Sequence, residues 1–146
     1  MTWYKPLPYF TAKELACKAT GTIKLHDTFA AYLPALRAEW GAPLYPTSVC
    51  RTPEHNKGVG GHPRSLHLTE NPVHPTSGSM AADLHWQDWP TKRKLRFARL
   101  AHKRGWSVGL HDTFVHVDRR KDIGLTQAVF VYGQWSGEFK ADEVIT

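Results

Sequence analysis

The sequence predicts an α+β domain in which helices pack on a small antiparallel sheet. Apolar residues recur at helical spacing over 27–40 and again over 90–104. Short runs with strand character, such as 80–86, 108–110, 114–118 and 127–132, lie between and after them. The 146 residues show no internal repeat and no interdomain linker, which fits one domain over 1–146. A chain of that length buries about two-thirds of its unfolded surface. Its 41% apolar content and six tryptophans argue for a packed core and against disorder.

In chain order, Thr11-Ala12-Lys13-Glu14 reads as a capping box opening a short helix that ends near Cys17, and Gly21 then breaks the chain. Phe29, Leu33, Leu36 and Trp40 give one face of a helix from Asp27 to Trp40, closed by Gly41. Pro34 inside it predicts a kink or a late start. Leu44 to Val49 reads as a strand that Pro46 confines to an edge or a strand start. From Thr52 to Ser79 the composition turns to Pro, Gly, Asn, Ser and His, which predicts a long loop of the functional kind. In the strand Met80–Trp86, alternation sets Ala82, Leu84 and Trp86 on one face and Ala81, Asp83 and His85 on the other. Pro90 to Arg104 reads as a basic helix with Leu95, Ala98, Leu100 and Ala101 inward, closed by Gly105. Strands follow at Val108–Leu110, Phe114–Asp118 and Gln127–Tyr132. Around the middle one, Asp112, Phe114, His116 and Asp118 fall on one face while Val115 and Val117 enter the core.

A formal charge of +6 favours a polyanionic partner: nucleic acid, an anionic membrane or a carboxylate-rich cell wall. No run approaches the roughly 20 apolar residues of a membrane span. The first eight residues lack the features of a signal peptide, so synthesis in the cytoplasm without one is expected. Cys17 and Cys50 are too few for a disulfide framework or a Cys-rich zinc finger and read as buried thiols. The run Lys92-Arg93-Lys94-Leu95-Arg96-Phe97-Ala98-Arg99 could dock on phosphates, or be a solvated helix face. No nucleic-acid module appears, and no nucleic-acid partner is expected.

Two imidazoles, a carboxylate and a guanidinium stand out: His67, His116, Asp83 and Arg51. Singly, His67 could be an exposed loop histidine, His116 a hydrogen-bonded core histidine, and Arg51 a surface partner of Glu54. Asp83 is harder to place, because a carboxylate within Ala-Ala-Asp-Leu would be partly buried and would need a cation, a metal or several donors. Convergence of His67, Asp83 and His116 on one Zn²⁺ satisfies all three, since catalytic zinc takes three N/O ligands and a water.

Ser65-Leu66-His67, Ala81-Ala82-Asp83 and His116-Val117-Asp118 together resemble the signature of the zinc peptidoglycan peptidases. These are D-Ala-D-Ala carboxypeptidases and L-Ala-D-Glu endopeptidases with a hedgehog-like fold. The run Ser48 to Asn56, then Val59-Gly60-Gly61, and the beginning Phe10 to Cys17 are similar to the branch containing many bacteriophage endolysins. The resemblance implies a monomeric zinc metallopeptidase that hydrolyses a bond of the peptidoglycan stem peptide, acting at the bacterial wall, in the host periplasm if phage-encoded. It implies His67, Asp83 and His116 as zinc ligands, Arg51 and Ser65 as substrate-binding residues, and a metal-activated water attacking the scissile carbonyl. Two features depart from the family pattern. An insertion within 68–79 lengthens the spacing between the first histidine and the aspartate, which makes His74 an alternative to His67 and suggests a lid or specificity wall. Thr113 fills a position where relatives often carry an acid, so strand alternation nominates Asp112 as proton carrier, with His111 as substitute and a turn aspartate as the other reading of Asp112. Asp118 is expected to orient a ligand imidazole or to pair with Arg119, and His85, which faces the same way as Asp83, to do likewise. The alternatives are a non-catalytic binding or structural protein that keeps the fold, and a basic nucleic-acid binder.

Overall fold

The structure is a computed structural model that describes residues 2–73 and 77–146; His74 lies outside the described residues. A two-stranded antiparallel ribbon joins β1 (Thr2–Trp3) to β2 (Leu25–His26). Between them, α1 (Ala12–Leu15) opens on the expected capping box, with Thr11 accepting from the Glu14 N–H and Glu14 returning to the Thr11 N–H. The main sheet has β3 (Pro46–Ser48), β4 (Ala81–His85), β5 (Ser107–Leu110), β6 (Phe114–Asp118) and β7 (Val129–Val131), in the order β3-β4-β6-β5-β7. Pro46 begins an edge strand, where its missing N–H leaves no ladder bond unmade.

All pairings in this sheet are antiparallel except β5 with β7, which is parallel. After β6 the chain crosses to the far side of β5, so β7 runs opposite to β6 and therefore along β5. A short 3₁₀ helix, Arg120–Ile123, begins that crossing.

One face of the sheet carries Leu84, Val108, Leu110, Val115 and Val117, all buried against α2 (Asp27–Trp40) and α4 (Thr91–Lys103) through Phe29, Leu33, Phe97, Ala98 and Ala101. α2 neither starts late nor stops at Pro34. The missing N–H of Pro34 costs the helix about 3 kcal/mol, but Phe29, Leu33 and Leu36 are buried on either side of it and packing decides.

The inward set of α4 also differs from expectation. Phe97 is buried where Leu95 and Leu100 are only half-buried, and Lys94 is buried as well. Its ammonium donates to Glu138 Oε2 at 2.7 Å, which ties α4 to the segment before α5 (Ala141–Ile145). Both cysteines are free and buried, as their number suggested.

The stretch expected to be loop throughout contains α3 (Pro53–Gly58), capped by Thr52 with Pro53 in the first turn. The ends of the 68–79 insertion are not a loose lid. Leu68 and Thr69 are buried, Leu68 bridges to Arg51, Ser77 to Glu70, and Ser79 to Leu25. Gly78, at φ +95°, passes so close to the backbone of Leu25 and His26 that a Cβ would overlap it. Both ends of the insertion are anchored in the frame of the site. Shortening it is expected to lower the melting temperature, in contrast to the small effect a mobile lid would give, and a thermal scan checks this.

Candidate metal centre

The sheet face opposite the main core carries the polar group. The antiparallel register of β4 and β6 sets Asp83 directly across from His116. His67 arrives from the loop after α3, held by its backbone: its carbonyl accepts from the Arg51 N–H at 2.9 Å and from Ser79 Oγ at 2.7 Å, and its N–H donates to Ser65 Oγ at 3.2 Å. All three side chains are buried, and a ligand atom from each lies within 4.8 Å of the others.

The hydrogen bonds fix the His67 tautomer and show which nitrogen each imidazole turns toward Asp83. His67 Nδ1 lies 2.8 Å from the Val49 carbonyl oxygen, which only accepts, so Nδ1 carries a proton and donates. His67 Nε2 then faces Asp83 Oδ1 at 3.2 Å. His116 Nε2 lies 2.8 Å from Asp118 Oδ2, and its Nδ1 faces the same Asp83 Oδ1 at 3.0 Å. Asp118 is held as a carboxylate by Arg120, which donates Nε to Oδ1 at 3.0 Å, an Nη to Oδ2 at 2.7 Å, and its backbone N–H to Oδ1 at 2.9 Å. Neutral His67 therefore turns a lone pair toward Asp83 Oδ1, and neutral His116 does the same when its proton sits on Nε2 and is given to Asp118. With that pair of tautomers the three atoms repel one another until a cation, a metal ion or a proton, sits among them.

The electrostatics point the same way. Burial alone would raise the Asp83 carboxyl, but charge and hydrogen bonds from His67 and His116 hold it far below the usual carboxylate range. Burial opposes charging of His116, yet Asp118 and Asp83 outweigh it and push the imidazole up to about 9. The pocket attracts positive charge, and two imidazole nitrogens with one carboxylate oxygen fit a zinc-type ion with a fourth position to spare.

Arg51 touches this group directly. It donates to the second Asp83 oxygen at 3.4 Å, to Ser48 Oγ at 3.0 Å and to Asn56 Oδ1 at 3.5 Å. Its partner is Asp83, not Glu54. Ser65 lines a hollow beside His116, together with Asp118, Arg120 and Tyr132. Asp118 orients an imidazole as expected, but its guanidinium partner is Arg120, because Arg119 is engaged by Asp122.

The structure does not bring Asp112 into the group. β6 begins at Phe114, so the alternation that should have carried Asp112 to the His116 face is lost in the bend before it. The Asp112 N–H donates to the Gln134 carbonyl, and its carboxylate accepts from the Ser136 N–H at 2.7 Å, so it ties the bend before β6 to the 134–136 segment. His111 stacks on Phe114 at 4.2 Å, and His85 is half-buried and pairs with Asp88. Neither of these histidines contacts the three-residue group.

Sequence reasoning missed Tyr132 and Gly109. Tyr132 stacks on His116, with centroids 4.7 Å apart and planes 6° from parallel. Alternation along β7 places Phe130 and Tyr132 on one face, but only the parallel pairing with β5 puts that face over His116. Gly109, opposite both His116 and Phe130, makes the stack possible. A Cβ there would lie 2.9 Å from the Phe130 ring, 3.0 Å from Tyr132 Cβ and 3.1 Å from His116 Cβ. Gly109→Ala is expected to shift the Tyr132 ring and to lower kcat/KM on the order of 10²-fold, with a stability loss of about 1–3 kcal/mol. Kinetics beside a thermal melt check both.

A buried His-Asp-His group with an open hollow at its side is positioned to hold a metal ion. The family follows from comparison: the model for Peptidase M15 matches residues 8–118, and the chain belongs to that family of metal-dependent peptidases. No curated protein matches the chain, and no solved structure does. No helix among the described residues is long and apolar enough to cross a membrane.

Proposed function

We propose that the protein is a zinc-dependent peptidase that hydrolyses a bond of the peptidoglycan stem peptide, of the phage endolysin type. The observation that carries this reading is the pair of imidazoles whose outer nitrogens are occupied and whose inner nitrogens converge on one oxygen of Asp83. His67 through Nε2, Asp83 through Oδ1 and His116 through Nδ1 would hold the Zn²⁺. When bound, zinc supplies Lewis acidity to a carbonyl and lowers the pKa of water towards about 7.

The remaining work belongs to the chain. The Val49 carbonyl and Asp118 hold the two tautomers and ring orientations. Arg51 balances the Asp83 charge and, with its fork of donors and partial exposure, reaches a peptide carbonyl or carboxylate of the substrate. Ser65 lines the substrate side. Burial and the nearby Asp83 charge push the Tyr132 phenol up, so it keeps its proton and can donate to oxygen where negative charge develops. Asp112 has no part in this scheme, and Asp112→Asn is expected to keep kcat within a few-fold of the parent, short of the about 10²–10⁴-fold that removal of a general acid–base group costs.

The endolysin assignment draws on the resemblance of the Ser48–Gly61 run, and the +6 charge suits an anionic wall. Mass spectrometry of muropeptides released from purified peptidoglycan by the zinc-loaded protein tests the reading and names the bond cut. Intact stem peptides after digestion would remove it.

A further inference from the structure

We infer that the exposed face of α4 binds a linear phosphodiester polymer of the cell wall, at a site separate from the metal centre. The surface stands on its own observations; that the polymer belongs to a wall rests on the peptidase reading. Over Thr91–Lys103 the helix carries no acidic residue. Lys92, Arg96, Arg99 and Lys103 are exposed and follow one another at i, i+4, i+7 and i+11. At about 100° and about 1.5 Å per residue, they fall within roughly 60° of arc and form a line about 16 Å long. The buried face of the same helix, with Phe97, Ala98 and Ala101, packs on the sheet. The sheet therefore lies between the stripe and His116, and a polymer held on α4 leaves the metal centre open.

The acids around α4 are committed elsewhere: Glu39 to Arg104, Glu138 to Lys94 and Thr91, and Glu143 to the Lys140 N–H. Lys103 adds a weaker pull on Glu39 without pairing with it. Among the described residues, no carboxylate forms an ion pair with Lys92, Arg93, Arg96, Arg99 or Lys103. Three of the guanidiniums are also held in place. Arg93 lies 4.5 Å from the Trp89 ring centre, and Arg96 lies 5.0 Å from that of Trp40. The two indoles stack on each other at 5.6 Å. Arg99 Nε donates to the Glu143 carbonyl at 2.8 Å. Cations ordered before binding lose less freedom when an anion arrives. A line of this length exceeds any small anion and matches a flexible chain of repeated phosphates. Nucleic acid fits less well, because Trp40 and Trp89 are occupied by each other and by the guanidiniums and form no open platform for bases. A membrane fits less well too, since the apolar side chains that would insert are already buried in the core.

The test titrates poly(glycerol phosphate) into the zinc-loaded protein by calorimetry, beside a single-stranded oligonucleotide of equal charge and vesicles containing phosphatidylglycerol. Four contacts, at the slope of about −0.7 per contact of flexible single strands, predict a roughly 50-fold fall in affinity between 50 and 200 mM salt. The triple variant Lys92→Gln/Arg96→Gln/Lys103→Gln should weaken polymer binding on the order of 10-fold or more and flatten the salt slope. Lys92→Arg/Lys103→Arg should keep both. A thermal melt checks that the variants fold, and Lys92→Gln/Lys103→Gln, which leaves the arginines on their indoles, should flatten the slope in the same direction. On soluble stem peptides the variants should keep the parental kcat/KM. On whole walls they should turn over more slowly, and walls stripped of phosphodiester polymers with hydrofluoric acid should remove the difference. Polymer binding that survives the triple variant, or that does not weaken with salt, overturns the site. Oligonucleotide or vesicles bound more tightly than the polymer overturn the choice of partner. Stripe-dependent polymer binding without hydrolysis of stem peptides leaves the surface standing and removes the peptidase reading; hydrolysis without polymer binding does the reverse.

Discussion

Replacing His116 by alanine is expected to abolish both zinc binding and peptidase activity while leaving the chain folded. The substitution deletes the Nδ1 that faces Asp83 and leaves two protein ligands, too few for a tetrahedral site that keeps one position open. Removing only the outer partner of a ligand lowers metal affinity about 10–100-fold, so loss of the ligand itself should exceed that. The fold should survive because the main core lies on the other face of the sheet, where Val115 and Val117 are untouched. Asp118 also keeps its pairing with Arg120. Metal content after dialysis, turnover of wall fragments and a circular-dichroism melt read the three parts separately. Full zinc occupancy in the variant would refute the assignment of His116.

Asp118→Ala should produce the largest loss of stability. The carboxylate is fully buried and serves the His116 Nε2–H and three donors of Arg120. Without it a half-buried guanidinium and an imidazole N–H lose their acceptor, and breaking a buried pair in this way costs about 3–5 kcal/mol. For a domain of this size that lowers the melting temperature on the order of 10 °C. Zinc affinity should fall as well, by about 10–100-fold, since nothing then holds the His116 tautomer. Asp118→Asn keeps an acceptor for the imidazole and should recover part of the zinc affinity but little of the stability. An alanine variant with parental zinc affinity would show that Asp118 does not orient the ligand.

A pH profile adds a further readout. The native Asp83 and Asp118 carboxyls lie below the usual carboxylate range, so the unfolded chain binds more protons in acid. Their stabilisation is present above about pH 4, the unfolded carboxylate value, and is lost as the pH falls towards their native values. Melting temperature against pH should drop less steeply for Asp118→Ala than for the parent.

Much of this protein was legible from residue types and local spacing. The capping box at Thr11–Glu14, the apolar stripe of α2, the basic helix α4 and the strands holding Asp83 and His116 follow from short-range preferences that the tertiary fold respects. The chemistry of His67, Asp83 and His116 also announced itself, because a carboxylate between alanines and a leucine has no comfortable place without a cation. α3 was legible but unread: Thr52-Pro53 is a helix start, masked by the loop-like composition around it.

What the sequence alone determined, then, is the element types and the residues able to bind a metal. Tertiary structure decided everything that depends on register and crossing. Pairing of β4 with β6 put Asp83 opposite His116, and the parallel entry of β7 laid Tyr132 on that imidazole across the gap left by Gly109. The bend before Phe114 turned Asp112 away, although strand alternation counted from the sequence kept it on the His116 face. Lys94 is buried because Glu138, far along the chain, comes back to meet it. Local sequence sets a residue's preferences over a few neighbours. Which distant strand lies beside it is settled only when the whole core closes and the buried polar groups find their partners.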